Sequence, residues 1–190
     1  MTTGLVQIPG YLTGTWIIDP AHSSVGFTVR HLMISKVRGQ FTRFEGRLVT
    51  ALDPLESSVT ATIEIGSIDT ANEQRDAHVR SADFFDADTY PTMTYTSTGI
   101  KPDGDGFLLE GDLTLKGITR QVPLTLEMPG FSDLDPFRPD PAAGARAGFT
   151  ATGQVSRSDF GVGDAALLPG GGVGLSDKIQ IILEIQAALQ

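Results

Sequence analysis

Residues 59–65, Val59-Thr60-Ala61-Thr62-Ile63-Glu64-Ile65, alternate apolar and polar side chains without a break. A period of two puts every other residue on one face of a pleated strand. Val59, Ala61, Ile63 and Ile65 therefore turn toward a core, and Thr60, Thr62 and Glu64 toward water. The same alternation recurs on both sides. Upstream, Ser24 to Leu32 sets Val25, Phe27, Val29 and His31 against Gly26, Thr28 and Arg30. From Gly39 to Asp53 the chain is again strand-like, but Phe41 and Phe44 are out of phase, which predicts a bulge near Thr42 or Arg43. Asp53-Pro54 makes a turn.

Downstream, Thr92 to Ile100 alternates Met93, Tyr95, Ser97 and Gly99 with β-branched threonines. The sequence KPDGDG at 101–106 reads as a hairpin turn, because Asp-Gly tolerates positive φ. Phe107, Leu109, Leu113 and Leu115 are in phase up to a second tight turn at Lys116-Gly117. Val122, Leu124, Leu126 and Met128 then alternate with Pro123, Thr125 and Glu127, and Pro123, lacking a donor, marks an edge, a bulge or a strand start. Phe149, Ala151, Gly153, Val155 and Arg157 form one row, and Ile179, Ile181, Leu183 and Ile185 the last. Residues 132–145 and 168–174 read as loops.

These segments amount to about eight strands joined mostly by tight turns, which predicts an all-β fold, an eight-stranded antiparallel sheet that curls closed into a barrel with one short helical segment. The inward positions Ala61, Ser97, Gly99, Gly111, Ala151 and Gly153 are small and predict an interior volume able to hold one ligand. A single domain spans 1–190, with 1–14 as an N-terminal extension.

One stretch breaks the pattern: SIDTANEQRDAHVRSADFFDADTYP, residues 67–91. Thr70 and Glu73 have capping-box spacing, predicting a helix over about 71–81. Its side chains are mostly polar, so it reads as a lid or rim rather than a core helix. Phe84 and Phe85 come next as an aromatic plug, and Tyr90-Pro91 ends the segment.

The chain of 190 residues carries a net charge of -9. Nucleic acid and an anionic-membrane patch are therefore not expected, since both need clustered Lys and Arg. There is no cysteine, which removes disulfides, thiolate metal sites and thiol catalysis. The opening MTTGLVQIPGYLTG has no basic n-region or sustained apolar run, and no segment approaches the ~20 apolar residues of a membrane span, so a cytoplasmic protein is expected.

Asp19, His22 and Ser23 contain the residue types of a hydrolytic triad, but they lie too close along one turn to converge on a reacting atom, and Asp19 and Ser23 read as backbone-bonding turn residues. His22, His31 and His78 lack the paired spacing of zinc ligands, so no metal site is expected. LPGGGVG at 168–174 lacks the Lys-Ser/Thr of a phosphate loop. His31 and Arg157 each continue an apolar row, and Arg75 and His78 share a helix face. Either these are solvated rim charges, or they form a cationic collar around a cavity mouth suited to a polar or phosphorylated head group.

Four stretches together carry a family resemblance: DPAHSSVGFTVRHLMISKVRGQFTRFEG (19–46), SIDTANEQRDAHVRSADFFDADTYPTMTYTST (67–98), LEGDLTLKGITRQVPL (109–124) and RAGFTATGQVSRSDFGVG (146–163). The chain resembles the YceI-like family, the polyisoprenoid-binding proteins with a lipocalin-like barrel. The resemblance implies an elongated apolar pocket for an isoprenoid or fatty-acyl chain, and does not imply an enzyme.

The expected function is non-catalytic binding, storage or transport of a long-chain isoprenoid or related amphiphile, such as a polyprenyl phosphate or a quinone, with no cofactor. The expected lining is Phe27, Val29, Ile63, Ile65, Met93, Tyr95, Leu113, Phe149, Val155 and Ile181. Phe84 and Phe85 guard one end, and His31, Arg75, His78 and Arg157 are the candidates for a head-group collar there, the alternative being solvated rim charges. Two other readings stay open: an isomerase or hydrolase using His31 or His78 as a base, and a filled barrel acting as an interaction module, including as a homodimer.

Overall fold

The strands obey the alternation, and hydrogen bonding sorts them into one sheet. The computed structural model describes residues 7–132, 144–163 and 174–190. Most of the two expected loops, 132–145 and 168–174, and the first six residues of the N-terminal extension lie outside these residues. Among the described residues twelve strands are formed: β1 (Gly14–Ile18), β2 (Ser24–His31), β3 (Ser35–Phe41), β4 (Phe44–Thr50), β5 (Ser58–Glu64), β6 (Ile68–Asp69), β7 (Thr92–Asp103), β8 (Gly106–Leu115), β9 (Ile118–Gln121), β10 (Leu124–Ser132), β11 (Arg146–Ser156) and β12 (Leu175–Leu189). The helix α1 (Glu73–Arg80) lies between β6 and β7.

Several strands are halves of one longer stave. β1 and β2 both run along β12, with Ile18 opposite Ala187 and Ser24 opposite Glu184. β3 and β4 pair with β2 and β1 in the same way, and β6 and β5 pair with β3 and β4. β9 and β10 share β8, with Gln121 opposite Asp112 and Leu124 opposite Leu109. Counted this way, eight antiparallel staves close into a barrel. Closure pairs most of the strand edges among the described residues.

The expected bulge at Thr42 or Arg43 is a kink between β3 and β4. Thr42 N–H and Oγ1 both donate to the Ser67 carbonyl (3.2 Å each), and Arg43 N–H donates to Ser67 Oγ (3.0 Å). Because two residues pass without pairing across the sheet, Phe41 and Phe44 both face inward despite their opposite parity. Pro123 falls at the interruption between β9 and β10, where its missing donor disturbs no ladder bond.

The capping box is a correction. The helix begins two residues after Ala71, and Asn72 is its cap, accepting from Arg75 N–H at 2.9 Å. Thr70 is buried and its N–H donates to both oxygens of Asp76 (3.0 and 3.2 Å). Arg75 in turn donates from Nε to Thr70 Oγ1 and from Nη2 to the Thr70 carbonyl, each 2.7 Å. The Asp76 carboxylate takes the place expected of Glu73, so the helix start is fastened to β6 through a buried acid.

Two of the small inward glycines also serve another purpose. A Cβ on Gly111 would collide with the Tyr95 ring, and one on Gly153 would lie 2.6 Å from Leu124 Cδ2 and 3.0 Å from the Pro123 carbonyl oxygen. The space left at these positions is filled by neighbouring side chains. Ala61 and Ala151, by contrast, do border the interior cavity.

Candidate functional site

A cavity of about 660 Å³ runs inside the barrel, within the range of ~300–1,000 Å³ usual for small-ligand sites. Its wall is built by the inward rows of nearly every stave. Phe27 and Val29 come from β2, Ile63 from β5, Met93 and Tyr95 from β7, and Leu113 from β8. Phe149 and Val155 come from β11, and Ile181 from β12. All of these were expected in the lining. Ile65 is not in the wall: it is fully buried beyond the end of β5, where its N–H donates to the Pro91 carbonyl at 2.9 Å, and it packs in the core cluster.

One end of the barrel is closed by aromatic packing. Trp16 is fully buried and donates from Nε1 to Thr50 Oγ1 at 2.8 Å. Phe131 meets Trp16, Tyr11 and Phe149 edge-on at centroid distances of 5.6, 5.4 and 5.9 Å. Phe131 also lines the cavity. Strict alternation from Leu124 misses it, because a register shift between Glu127 and Gly130 reverses which face the later residues of β10 present.

The other end is framed by α1 and the turns after it. Phe85 N–H donates to the Val79 carbonyl (3.1 Å) and Ala87 N–H to that of Arg80 (2.9 Å). This winding lays Phe84 and Phe85 against the cavity, with Phe85 edge-on to Phe41 at 6.1 Å and Phe84 edge-on to His78 at 5.1 Å. Lys116 Nζ donates to the carbonyls of Phe84 and Gly161, both 2.8 Å, and ties the plug to the barrel rim. Leu32, 40% exposed, and His31 also stand in the wall here, so this end meets solvent.

The structure brings His31, Arg75, His78 and Arg157 to this same end, but gives the two arginines internal work. Arg157 is 6% exposed and donates to the carbonyls of Val162 (2.9 Å), Gly163 (3.1 Å), Ser176 (3.1 Å) and Leu175 (3.3 Å). It clamps the turn after β11 to the start of β12. Arg75 is held by its two bonds to Thr70. His78 is exposed and faces Asp83 at 3.5 Å. The two arginines at this mouth are therefore engaged with the protein itself, while the two histidines stand exposed.

Buried polar groups elsewhere in the wall are also satisfied. The Tyr95 hydroxyl donates to the Val122 carbonyl at 3.0 Å, with the Leu109 carbonyl at 3.5 Å. Burial pushes its phenol far above the usual range, and the Asp112 carboxylate adds to the shift, so Tyr95 stays neutral. Among the described residues no buried side-chain nitrogen or oxygen lacks a partner, and no group of three or more His, Asp or Glu converges. Asp19 and Ser23 bond backbone as expected of turn residues, Asp19 accepting from Ala21 N–H (3.0 Å) and Ser23 Oγ from Gln186 N–H (2.9 Å).

The YceI-like domain family matches residues 16–187. The chain belongs to the YceI-like family. Protein YceI of Escherichia coli O17:K52:H18 is 40% identical over 142 residues, covering 74% of this chain and 71% of that protein. Two crystal structures share the barrel: BcnA of Burkholderia cenocepacia, with a TM-score of 0.72, 26% identity and coverage of 89% and 98% of the two chains, and the Campylobacter jejuni YceI protein, with a TM-score of 0.69, 30% identity and coverage of 90% and 96%. A polyisoprenoid binding domain from Saccharophagus degradans, 13% identical with a TM-score of 0.66 and coverage of 94% and 100%, has the same fold. Among the described residues of this YceI-like chain, no helix is long and apolar enough to cross a membrane.

Proposed function

We propose that this YceI-like protein is a non-catalytic carrier that holds one long-chain isoprenoid or related amphiphilic lipid inside its barrel. The observation that carries this reading is the cavity wall. Aliphatic and aromatic side chains from almost every stave face a shared interior, and among the described residues no buried side-chain nitrogen or oxygen is left there without a partner in the protein. A wall of that kind has little to offer a polar substrate and much to offer a hydrocarbon chain, at about 0.8 kcal/mol per buried CH₂. The description of the Saccharophagus degradans domain as polyisoprenoid binding is in keeping with it.

The tail, on this reading, lies between Phe149 near the aromatic floor and Phe84 and Phe85 at the α1 end, with its head group at the solvent-facing mouth beside His31 and His78. A polyprenyl phosphate or a quinone fits this division into apolar tail and polar head. The test is uptake of a fluorescent or photoreactive prenyl lipid by the delipidated protein, with Ala151→Phe as the blocking variant. Saturable one-to-one uptake lost in Ala151→Phe is expected. Uptake that is absent, or unchanged in the blocked variant, would overturn the reading.

A further inference from the structure

The hairpin between β2 and β3 is unlike the rest of the surface. Its tip is Leu32-Met33-Ile34, with exposures of 40%, 61% and 84%. Among the described residues, seven large hydrophobic side chains are exposed, and these three are consecutive, while of the others only Ile17 and Val49 are neighbours, diagonally across β1 and β4, and Leu52 and Ile182 are separate in sequence. Isolated exposed apolar residues are ordinary, whereas a contiguous group marks an interaction site.

Three further features oppose a purely structural account of the hairpin. First, Leu32 and Met33 have φ of 52° and 58°. A turn closed by Ile34 N–H to the His31 carbonyl at 3.0 Å with two left-handed residues is ordinarily built from Asn-Gly, and side chains such as these are strained there. Second, Arg30 and Lys36 stand directly opposite each other across β2 and β3, with Arg38 opposite Thr28 on the same outward face. Like charges so placed repel, and none of the three has an ion-pair partner among the described residues. Third, residues 20–44 carry four arginines and lysines and no acid, in a chain of net charge -9. An apolar tip above a cationic collar is the pattern of a segment that enters the headgroup region of an anionic bilayer.

We infer that the β2–β3 hairpin docks the barrel on an anionic lipid surface, with Met33 and Ile34 entering the interface and Arg30, Lys36 and Arg38 facing the headgroup phosphates. The acid that the register brings beside Arg38, Asp69 opposite Gln40, lies at the end of β3 away from the tip, and charges beyond about 8 Å are largely screened at physiological salt. Leu32 joins the tip to the cavity, because it stands in the cavity wall while its N–H donates to the Gly174 carbonyl at 3.0 Å. Docking here would set the solvent-facing mouth against the bilayer from which a lipid is taken or to which it is returned. That purpose rests on the lipid-carrier reading, whereas the docking surface rests on the hairpin itself.

The test is co-sedimentation of the full chain with vesicles of phosphatidylcholine containing phosphatidylglycerol, and with phosphatidylcholine alone, at low and high salt. It reads attachment whatever the cavity holds, so its failure is distinct from failure of lipid uptake. Binding that prefers the anionic vesicles and weakens with salt is expected. Each cation is worth about fivefold in partitioning, so R30Q/K36Q/R38Q should bind anionic vesicles on the order of 100-fold more weakly. M33D/I34D should also lose roughly 100-fold, at about tenfold or more per apolar side chain. Met33→Gly, which fits the positive φ, should bind vesicles less well without a lower thermal midpoint, a combination that a merely structural turn would not show. Absent binding at low salt, equal binding to neutral vesicles, or full binding by M33D/I34D would each overturn the inference. So would a change of oligomeric state in M33D/I34D with no vesicle binding in the parent, since the tip would then be a contact between copies of this chain.

Discussion

Replacing Arg157 with methionine separates the two roles open to it. Methionine keeps most of the stem and removes the guanidinium. Four carbonyls, those of Val162, Gly163, Leu175 and Ser176, lose a donor at a residue only 6% exposed. Hydrogen bonds to a charged group contribute about 1.5–3 kcal/mol each. Some of the freed carbonyls can reach water, and the cost of desolvating the arginine disappears with it. Breaking a buried charged network typically costs about 3–5 kcal/mol, and that is the expected loss. For a chain of this size each kcal/mol moves the thermal midpoint by about 2–4 °C, so Arg157→Met should melt roughly 6–20 °C lower. Thermal and urea unfolding measure it directly. Arg157→Lys, whose single nitrogen cannot span the carbonyls of both segments, should recover less than half of the loss. A change in stability below about 1 kcal/mol, with lipid retention abolished, would refute the clamp and return Arg157 to the head-group role.

Other expected outcomes rest on the same geometry. Gly111→Ala places a methyl group against the buried Tyr95 ring and should cost about 1–3 kcal/mol in urea unfolding, with part of that recovered by a smaller side chain at 95. Phe85→Asp removes a ring packed edge-on against Phe41 and should speed release of a bound lipid in a dissociation assay; an unchanged rate would show that the plug does not guard the cavity. Two carboxyls are held below the usual value of 3.8. Asp19 is lowered chiefly by its hydrogen bond with His22. For Asp177, burial pushes upward but bonds with Ser158 outweigh it. A depressed folded pKa means that the stabilisation is complete above the unfolded value and disappears as pH falls through the folded one. Stability should therefore decline below about pH 4, and D19N/D177N should flatten that decline in acid unfolding.

The barrel was legible because the alternation of period two runs through almost every strand, and a half-buried sheet leaves that signature directly in the residues. Most of the cavity wall came with it, since Phe27, Ile63, Met93 and Ile181 needed no more than the correct face. What escaped depended on where the chain departs from regular pairing. Phe131 was hidden by the shift within β10, and Ile65 left the wall because its strand had already ended in a turn. The capping box failed because a residue from inside the helix, Asp76, competes for the Thr70 N–H, and the polarity of Asp76 alone does not reveal its burial. Arg157 sits in phase with a cavity row, yet its long side chain turns back to backbone carbonyls of the turn that follows β11 and of the start of β12, a convergence that the strand pattern does not carry. Small residues were a similarly incomplete guide, because Gly111 makes room for a neighbour's ring while Ala151 faces open space. The cationic hairpin could have been found by charge patterning, since the absence of acids over 20–44 is visible in the sequence, but a net charge for the whole chain conceals it.

The carrier reading is tested most directly by native mass spectrometry of the protein from its own host, intact and then after organic extraction. A single lipid mass bound one-to-one, released as a long-chain isoprenoid or similar amphiphile, is the expected result. A protein that carries nothing and takes up no added prenyl lipid would contradict it.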